Sequence, residues 1–121
     1  MKIALTSQGD NLEAGLDPRF GRAENFIVLD TETREAVIVP NTQNLNAPQG
    51  AGIQAAATVA AAGVEAVITG HCGPKAFKVL TTANIRVLNT NAKTGRDAVA
   101  LFIAGKLAEA ENADVEGHWM A

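Results

Sequence analysis

The chain has 121 residues, and 10 basic against 13 acidic side chains give it a net charge of −3. That length suits one domain with its own hydrophobic core, and the charge argues against a protein that binds a nucleic-acid backbone. The single cysteine excludes an internal disulfide framework. The apolar run Ile3 to Leu5 is too short for a signal-peptide core or a membrane span. We therefore expect a cytoplasmic protein with no nucleic-acid partner and no membrane span.

Three strands are predicted in the first third of the chain. The run Lys2 to Thr6 is the first, and the runs Glu24 to Asp30 and Arg34 to Pro40 are the second and third. Thr31 to Thr33 has the length of a hairpin loop, so we expect the second and third strands to pair antiparallel. Successive positions in both runs are apolar, which indicates that at least one of the two strands is covered on both faces.

Helices and strands alternate through the rest of the chain. Small apolar residues at spacings of three and four after Gly50 predict a helix that Gly63 ends. Pro74 suits the first position of a second helix, and Thr94 followed by Asp97 is typical of a capping box at the start of a third. The predicted bounds are Gly50 to Gly63, Pro74 to about Ala83 and Thr94 to Leu107 for the helices, and Ala66 to Thr69 and Ile85 to Leu88 for the strands.

The element order is therefore β-β-β-α-β-α-β-α. Helical crossovers imply parallel pairing of the later strands, so the sequence predicts an α/β fold with a five-stranded mixed sheet and helices on both faces. This arrangement matches the ribonuclease H-like fold. We assign residues 1–110 to a single domain and residues 111–121 to a flexible C-terminal tail. The polar segment Asn41 to Gln49 is interpreted as a mobile loop, either a lid or a flexible connection without a function of its own.

The stretch from Ala66 to Thr82 concentrates the unusual chemistry of the chain. Gly70 and Gly73 bracket the adjacent His71 and Cys72, directly after an apolar strand and directly before a helix. A strand-to-helix junction of this kind presents unpaired helix N–H groups and the positive end of the helix dipole, which suits an anion. An ordinary tight turn between a strand and a helix is the alternative interpretation.

A second unusual segment follows the first strand. The loop Asp17 to Arg22 places Arg19 and Arg22 around Phe20 and a glycine. A loop that only connects two elements does not need two arginines and an aromatic side chain. The alternative is structural, with Phe20 closing the end of the core and both arginines facing water.

These segments together resemble the dinitrogenase iron-molybdenum cofactor family, the group of NifX and the C-terminal part of NifB. The resemblance rests on Asp17 to Ala23 with Phe26, on the helix after Gly50, and on Gly70 to Phe77 followed by Asn84 to Val87. Within the family the sequence most resembles the orange-protein group of sulfate-reducing bacteria. The resemblance implies the ribonuclease H-like fold and non-covalent carriage of a metal-sulfur cluster. For the orange-protein group it implies a molybdenum-copper sulfide anion and a link to a protein complex acting in cell division.

We therefore expect a binding protein, not an enzyme, for a preassembled anionic cluster that already carries sulfide ligands. Such a cargo needs shape and positive potential from the protein and little coordination. Lys78 and Phe77 are further candidates to supply charge and to exclude water. The residues assigned to the site are Arg19, Phe20, Arg22, Gly70, His71, Cys72, Gly73 and Lys75.

Direct contact with metal is assigned to His71 and Cys72, because thiolate and imidazole both suit copper. One cysteine cannot supply the four thiolates of a conventional iron-sulfur site. The family usually has a less reactive pair between the two glycines, so this pair departs from its pattern. A buried cysteine and a histidine bonded to backbone are the structural alternatives. His118 and Met120 are weaker copper candidates near the end of the chain.

Three other functions are considered. An enzyme with Cys72 as nucleophile and His71 as base lacks a visible third group to orient the base. A ribonuclease H-type nuclease needs carboxylates on the central strands to hold two metals, and those positions are apolar here. A regulatory or interaction protein without a prosthetic group is the main alternative, and an absorbance spectrum separates it from a cluster carrier.

Overall fold

The fold is a mixed α/β sandwich built on one six-stranded sheet. The computed structural model describes residues 1–43, 46 and 50–110. None of the three helices in these residues has the length and hydropathy needed to cross a membrane. The strands are β1 (Lys2–Ser7), β2 (Asn25–Asp30), β3 (Ala36–Pro40), β4 (Ala66–Thr69), β5 (Arg86–Asn89) and β6 (Ala108–Glu109), and the helices are α1 (Ala51–Ala61), α2 (Pro74–Thr82) and α3 (Gly95–Ile103).

The strand order across the sheet is β3-β2-β1-β4-β5-β6. The first three strands pair antiparallel, which includes the predicted pairing of the second with the third. The pairs β1–β4 and β4–β5 are parallel, which follows from the helical crossovers that join β4 and β5 to what precedes them. Since β1 and β4 run in the same direction, the loop after β1 and the junction after β4 leave the sheet at the same edge.

Each central strand is covered on both faces because helices lie on both sides of the sheet. Alternate residues point to opposite faces, so Ala4 and Val67 pack with α1 and α2, whereas Leu5 and Ile68 pack with α3. The outer strand β3 is only half-buried, and Val37 on it is 60% exposed. The near-continuous apolar runs in the sequence are therefore explained by two separate cores, one on each face.

The helix ends follow the predicted signals. Gly63 has a φ of 74° after α1, the left-handed conformation that glycine adopts most easily. Pro74 is the first residue of α2. Thr94 caps α3, with its hydroxyl accepting a hydrogen bond from the Asp97 N–H at 3.1 Å.

Three predictions of local structure need correction. The sheet has six strands, not five, because the chain turns back after α3 and Ala108–Glu109 pairs antiparallel with β5. That strand is too short and too polar to be recognised from sequence. The helix α3 ends at Ile103, not at Leu107, since Gly105 takes a φ of 71° and reverses the chain. The fifth strand is Arg86–Asn89, shifted one residue from its predicted bounds.

Two predicted segments lie largely or wholly outside the described residues. Of the loop Asn41 to Gln49, the structure describes residues 41–43 and 46. The segment 111–121, with His118 and Met120, lies entirely outside them. The predictions of a mobile loop and of a flexible tail therefore stay predictions.

Candidate functional site

The loop after β1 and the junction after β4 are joined by backbone hydrogen bonds. The N–H of Phe20 donates to the carbonyl of His71 at 3.0 Å, and the N–H of His71 donates to the carbonyl of Pro18 at 2.6 Å. Gly70 allows this approach, because a Cβ there would lie 2.7 Å from the Cα and the carbonyl oxygen of Pro18. The loop after β1 and the junction after β4 thus form one unit at the carboxyl ends of these two central strands.

Asp17 fixes the geometry of this unit from inside. Its side chain is 5% exposed, and one carboxylate oxygen accepts the N–H of Arg19 at 2.9 Å. The same oxygen lies 3.5 Å from Arg19 Nε. Below it, the hydroxyl of Thr6 donates to the Asp17 carbonyl at 2.6 Å and lies 3.0 Å from the hydroxyl of Thr69. Through these contacts Asp17 orients Arg19.

Two of the predicted site residues belong to the core. Phe20 is 1% exposed and its ring centroid lies 5.5 Å from that of Phe26. Cys72 is also 1% exposed and packs in the core formed with α1 and α2. Phe20 and Cys72 are therefore buried core residues, which is the structural alternative considered for each of them. Exposed positions are held by Arg19, Arg22, His71 and Lys75.

The starts of α1 and α2 converge on one open groove of about 310 Å³. A glycine caps each helix, Gly50 for α1 and Gly73 for α2, and neither cap provides a side-chain hydrogen bond. A Cβ on Gly52 would lie 3.2 Å from the Cβ of Ala76, so the two first turns are nearly in contact. We call this the helix-start groove; its lining residues are Gly50, Gly52, Ile53, Gly73, Pro74, Lys75 and Ala76.

The helix-start groove has a mostly apolar lining, and the positive ends of two helix dipoles lie beside it. The first intrahelical bonds run from Gln54 N–H to the Gly50 carbonyl at 3.1 Å and from Phe77 N–H to the Gly73 carbonyl at 2.9 Å. The N–H groups before them have no acceptor within their own helix. Neither first turn contains an acidic residue that would offset the positive end of its helix dipole, and Lys75 adds a positive charge.

A second groove, of about 400 Å³, lies over the other half of the junction. Gly70 and His71 line it, whereas Gly73 and Lys75 line the helix-start groove. The predicted site residues are therefore divided between two neighbouring grooves. The full lining of the second one is Pro18, Gly70, His71, Asn89, Thr90 and Asn91.

The donor set fits an anion better than a bare metal ion. Among the described residues, no three histidine, cysteine or acidic side chains come together in a way that could hold a metal. His71 is exposed and Cys72 is buried, so their side chains do not share one surface. Exposed cations, of which Lys75 lines the helix-start groove, suit instead a group that already carries its own ligands.

The sequence profile of the family described as "Dinitrogenase iron-molybdenum cofactor" matches residues 1–105. The chain belongs to this family. An uncharacterized protein from Methanocaldococcus jannaschii is 35% identical over 114 residues, which cover 92% of each chain.

Two solved structures of similar proteins support the fold. The apo form of the orange protein from Desulfovibrio gigas superimposes with a TM-score of 0.88 at 39% identity, covering 94% of this chain and 96% of that one. The NMR structure of a NifB-type protein from Thermotoga gives a TM-score of 0.83 at 31% identity, covering 96% and 98%. The resemblance read from the sequence is thereby confirmed.

Proposed function

We propose that this protein binds and carries a preassembled anionic metal-sulfur cluster, of the molybdenum-copper sulfide type, without covalent attachment. One observation carries the proposal: two glycine-capped helix starts free of acidic residues converge on a single groove in a chain of this family. The cluster is cargo, and its metals bring their own sulfide ligands. The protein supplies N–H donors, positive potential and shape.

The helix-start groove suits such a cargo on electrostatic grounds. An anion near a helix N-terminus is stabilised by roughly 0.3–1 kcal/mol at an exposed site and by up to about 2 kcal/mol when partly buried. Two helix starts that face the same space act on the same charge. Gly50 and Gly73 keep that space open, since a Cβ on either would meet nothing within 4 Å.

The two arginines of the loop have unequal roles in this proposal. Arg19 is held beside the buried carboxylate of Asp17, which offsets part of its charge. Arg22 ends the 3-10 turn Phe20–Arg22. Gly21 in that turn packs directly on the first turn of α1, where a Cβ on Gly21 would lie 3.0 Å from the Gly52 nitrogen. We assign Arg22 the larger contribution, and Phe20 supports the turn from the core.

The two adjacent residues at the junction, His71 and Cys72, also have different roles in this proposal. His71 is exposed in the second groove, so we assign the soft-metal contact of the pair to it. The thiol of Cys72 packs in the core, with Sγ 3.7 Å from the Gly73 carbonyl oxygen. A bond from Cys72 to metal would require that side chain to leave the core, so the proposal gives it a packing role.

The strand order supports a finer fold assignment. Three antiparallel strands followed by two parallel ones, in the order β3-β2-β1-β4-β5, support the ribonuclease H-like class, with β6 as an added edge strand. A link to a protein complex acting in cell division stays a prediction of the family resemblance.

Isolation from the native host tests the function directly. We expect the purified protein to absorb visible light and to contain molybdenum and copper with acid-labile sulfide, whereas the same chain made in an unrelated host is colourless. The polypeptide itself gives no visible colour, because its phenylalanine and tryptophan side chains absorb only in the ultraviolet. Native protein without stoichiometric metal would favour the interaction protein over the carrier.

The mode of binding is tested with tetrathiomolybdate and Cu(I) added to the colourless protein. Replacing Arg19 and Arg22 together by alanine is expected to weaken binding more than Cys72→Ser, because each charged donor contributes about 1.5–3 kcal/mol. Added salt weakens the binding of the wild-type protein for the same reason. If Cys72→Ser abolished binding and the double variant retained it, a thiolate site would replace this one.

A further inference from the structure

Two side-chain amides lie where the segment after β3 meets the start of α1. Gln43 Nε2 donates to the carbonyl oxygens of Gly21 and Ala51, at 3.0 Å each. Asn41 Nδ2 donates to the carbonyl oxygens of Gly21 at 3.3 Å and Ala23 at 2.9 Å. The two amides also meet, with Gln43 Nε2 3.3 Å from Asn41 Oδ1. We call this pair of side chains the amide clamp.

The amide clamp joins two backbone segments that are far apart in the sequence. One is the 3-10 turn with Gly21 and Arg22, and the other is the first turn of α1. No side chain separates them, since a Cβ on Gly21 would lie 3.0 Å from the nitrogen and 3.1 Å from the Cα of Gly52. Gln43 bonds to both segments, so its position sets how they lie against each other.

The chemistry of the amide clamp is selective. Every backbone group of the described residues that it engages is a carbonyl oxygen, on Gly21, Ala23 or Ala51. It therefore occupies hydrogen-bond acceptors beside the helix-start groove, and none of its bonds among the described residues takes up an N–H donor of the first turn of α1. An arginine or lysine could do the same but would add a mobile charge, whereas an amide fixes the geometry at no net charge.

We propose that Gln43, assisted by Asn41, is a positioning residue that holds the turn bearing Arg22 against the start of α1, so that the donors of the helix-start groove are set before an anion arrives. The benefit of this role for cargo binding rests on the proposed function, whereas the hydrogen bonds of the amide clamp do not. Preorganised donors bind more tightly because less ordering is needed on binding. Neither residue touches the cargo in this scheme.

The structural half of the proposal is tested on the protein without cargo. Gln43→Ala removes the donor, and Gln43→Glu keeps the shape but sets a carboxylate against carbonyl oxygens. Both variants are expected to speed amide exchange of Gln54 and Arg22 by about tenfold, the effect of losing one or two hydrogen bonds. Exposed Thr42, replaced by alanine, is the matched control. Unchanged exchange in both Gln43 variants would overturn the clamp.

The binding half uses tetrathiomolybdate with Cu(I) as the probe. Gln43→Ala is expected to release the probe about tenfold faster than Thr42→Ala, with the same dependence of affinity on salt as the wild type, because no charge is lost. Arg22→Ala, in contrast, lowers that salt dependence. Equal release rates for Gln43→Ala and Thr42→Ala would overturn the positioning role. If the wild-type protein itself failed to bind the probe, the carrier function would fall, and the exchange experiment alone would decide the clamp.

Discussion

The starts of α1 and α2 differ from the start of α3 in how their unpaired N–H groups are treated. At α3 the hydroxyl of Thr94 accepts one of them, and Asp97 places a negative charge in the first turn. Arg96 in that turn forms an ion pair with Glu13, which raises the pKa of the arginine. At α1 and α2 the capping residue is glycine, which provides no side-chain acceptor for these groups. Among the described residues, one helix start has a side-chain cap and the other two have glycine caps without one.

The comparison shows where this protein gives up local stability. Replacing a good capping side chain by alanine typically costs about 0.5–2 kcal/mol, and glycine at the same position only a few tenths. Glycine is therefore the residue that keeps a helix start open at small expense to stability. The helix that contributes to neither groove, α3, has the full cap.

The largest expected effect comes from giving the open helix starts an internal acceptor. Gly50→Asp together with Gly73→Asp should lower affinity for the tetrathiomolybdate-copper anion by about 100-fold, because like charges about 4 Å apart repel by roughly 1–4 kcal/mol each. The φ angles of −75° and −70° and the open space at both positions accept an aspartate. Thermal unfolding should be unchanged or slightly raised. Gly50→Asn with Gly73→Asn separates capping from charge, and affinity unchanged in the aspartate variant would place the site elsewhere.

A second experiment disrupts the contact between the loop after β1 and the junction after β4, which leads into α2. Gly70→Ala forces a Cβ to 2.7 Å from the backbone of Pro18, and separating the loop from the junction should destabilise the protein by about 1–3 kcal/mol. Urea unfolding measures the change. The same substitution at Gly73, where a Cβ meets nothing within 4 Å, should reduce stability by less than about 1 kcal/mol. Equal losses at the two positions would contradict the close approach.

Removal of the internal cap tests the closed side. Thr94→Ala should lower the free energy of unfolding by about 1 kcal/mol, since the Asp97 N–H loses its acceptor. Affinity for the tetrathiomolybdate-copper anion should stay unchanged, because α3 packs on the opposite face of the sheet. The exposed Thr82 at the end of α2 gives a control variant, Thr82→Ala. A large loss of binding in Thr94→Ala would mean that the two faces are coupled.

The smallest effect concerns pH. The backbone N–H groups of Glu32, at 2.8 Å, and Thr33, at 3.3 Å, donate to the Asp30 carboxylate and lower its pKa. A folded-state pKa below the unfolded value of about 3.9 means that this stabilisation is complete above the unfolded pKa. It is lost as the pH falls through the folded-state pKa. The stability difference between wild type and Asp30→Asn should therefore shrink in acid unfolding series below about pH 4, and a difference that grew there would reverse the assignment.

The sequence by itself determined most elements of this fold. Apolar runs gave the first five strands to within two residues, and the signals at Gly63, Pro74 and Thr94 gave helix ends, because these depend on local backbone chemistry. The residues of the loop after β1 and of the junction after β4 were also sufficient to recognise the family. Local pattern failed at β6, where two residues form a strand only because β5 offers an edge to pair with.

The tertiary structure alone decided which of the predicted site residues are exposed and which are buried. A sequence shows that His71 and Cys72 are adjacent, but only the packing of α1 and α2 on the sheet puts the thiol in the core. The same packing brings two helix starts to one groove and sets the Gln43 amide between Gly21 and Ala51. These relations join segments that are distant in the sequence, and their free energy comes from burial and hydrogen bonds that form only when the whole sheet is assembled.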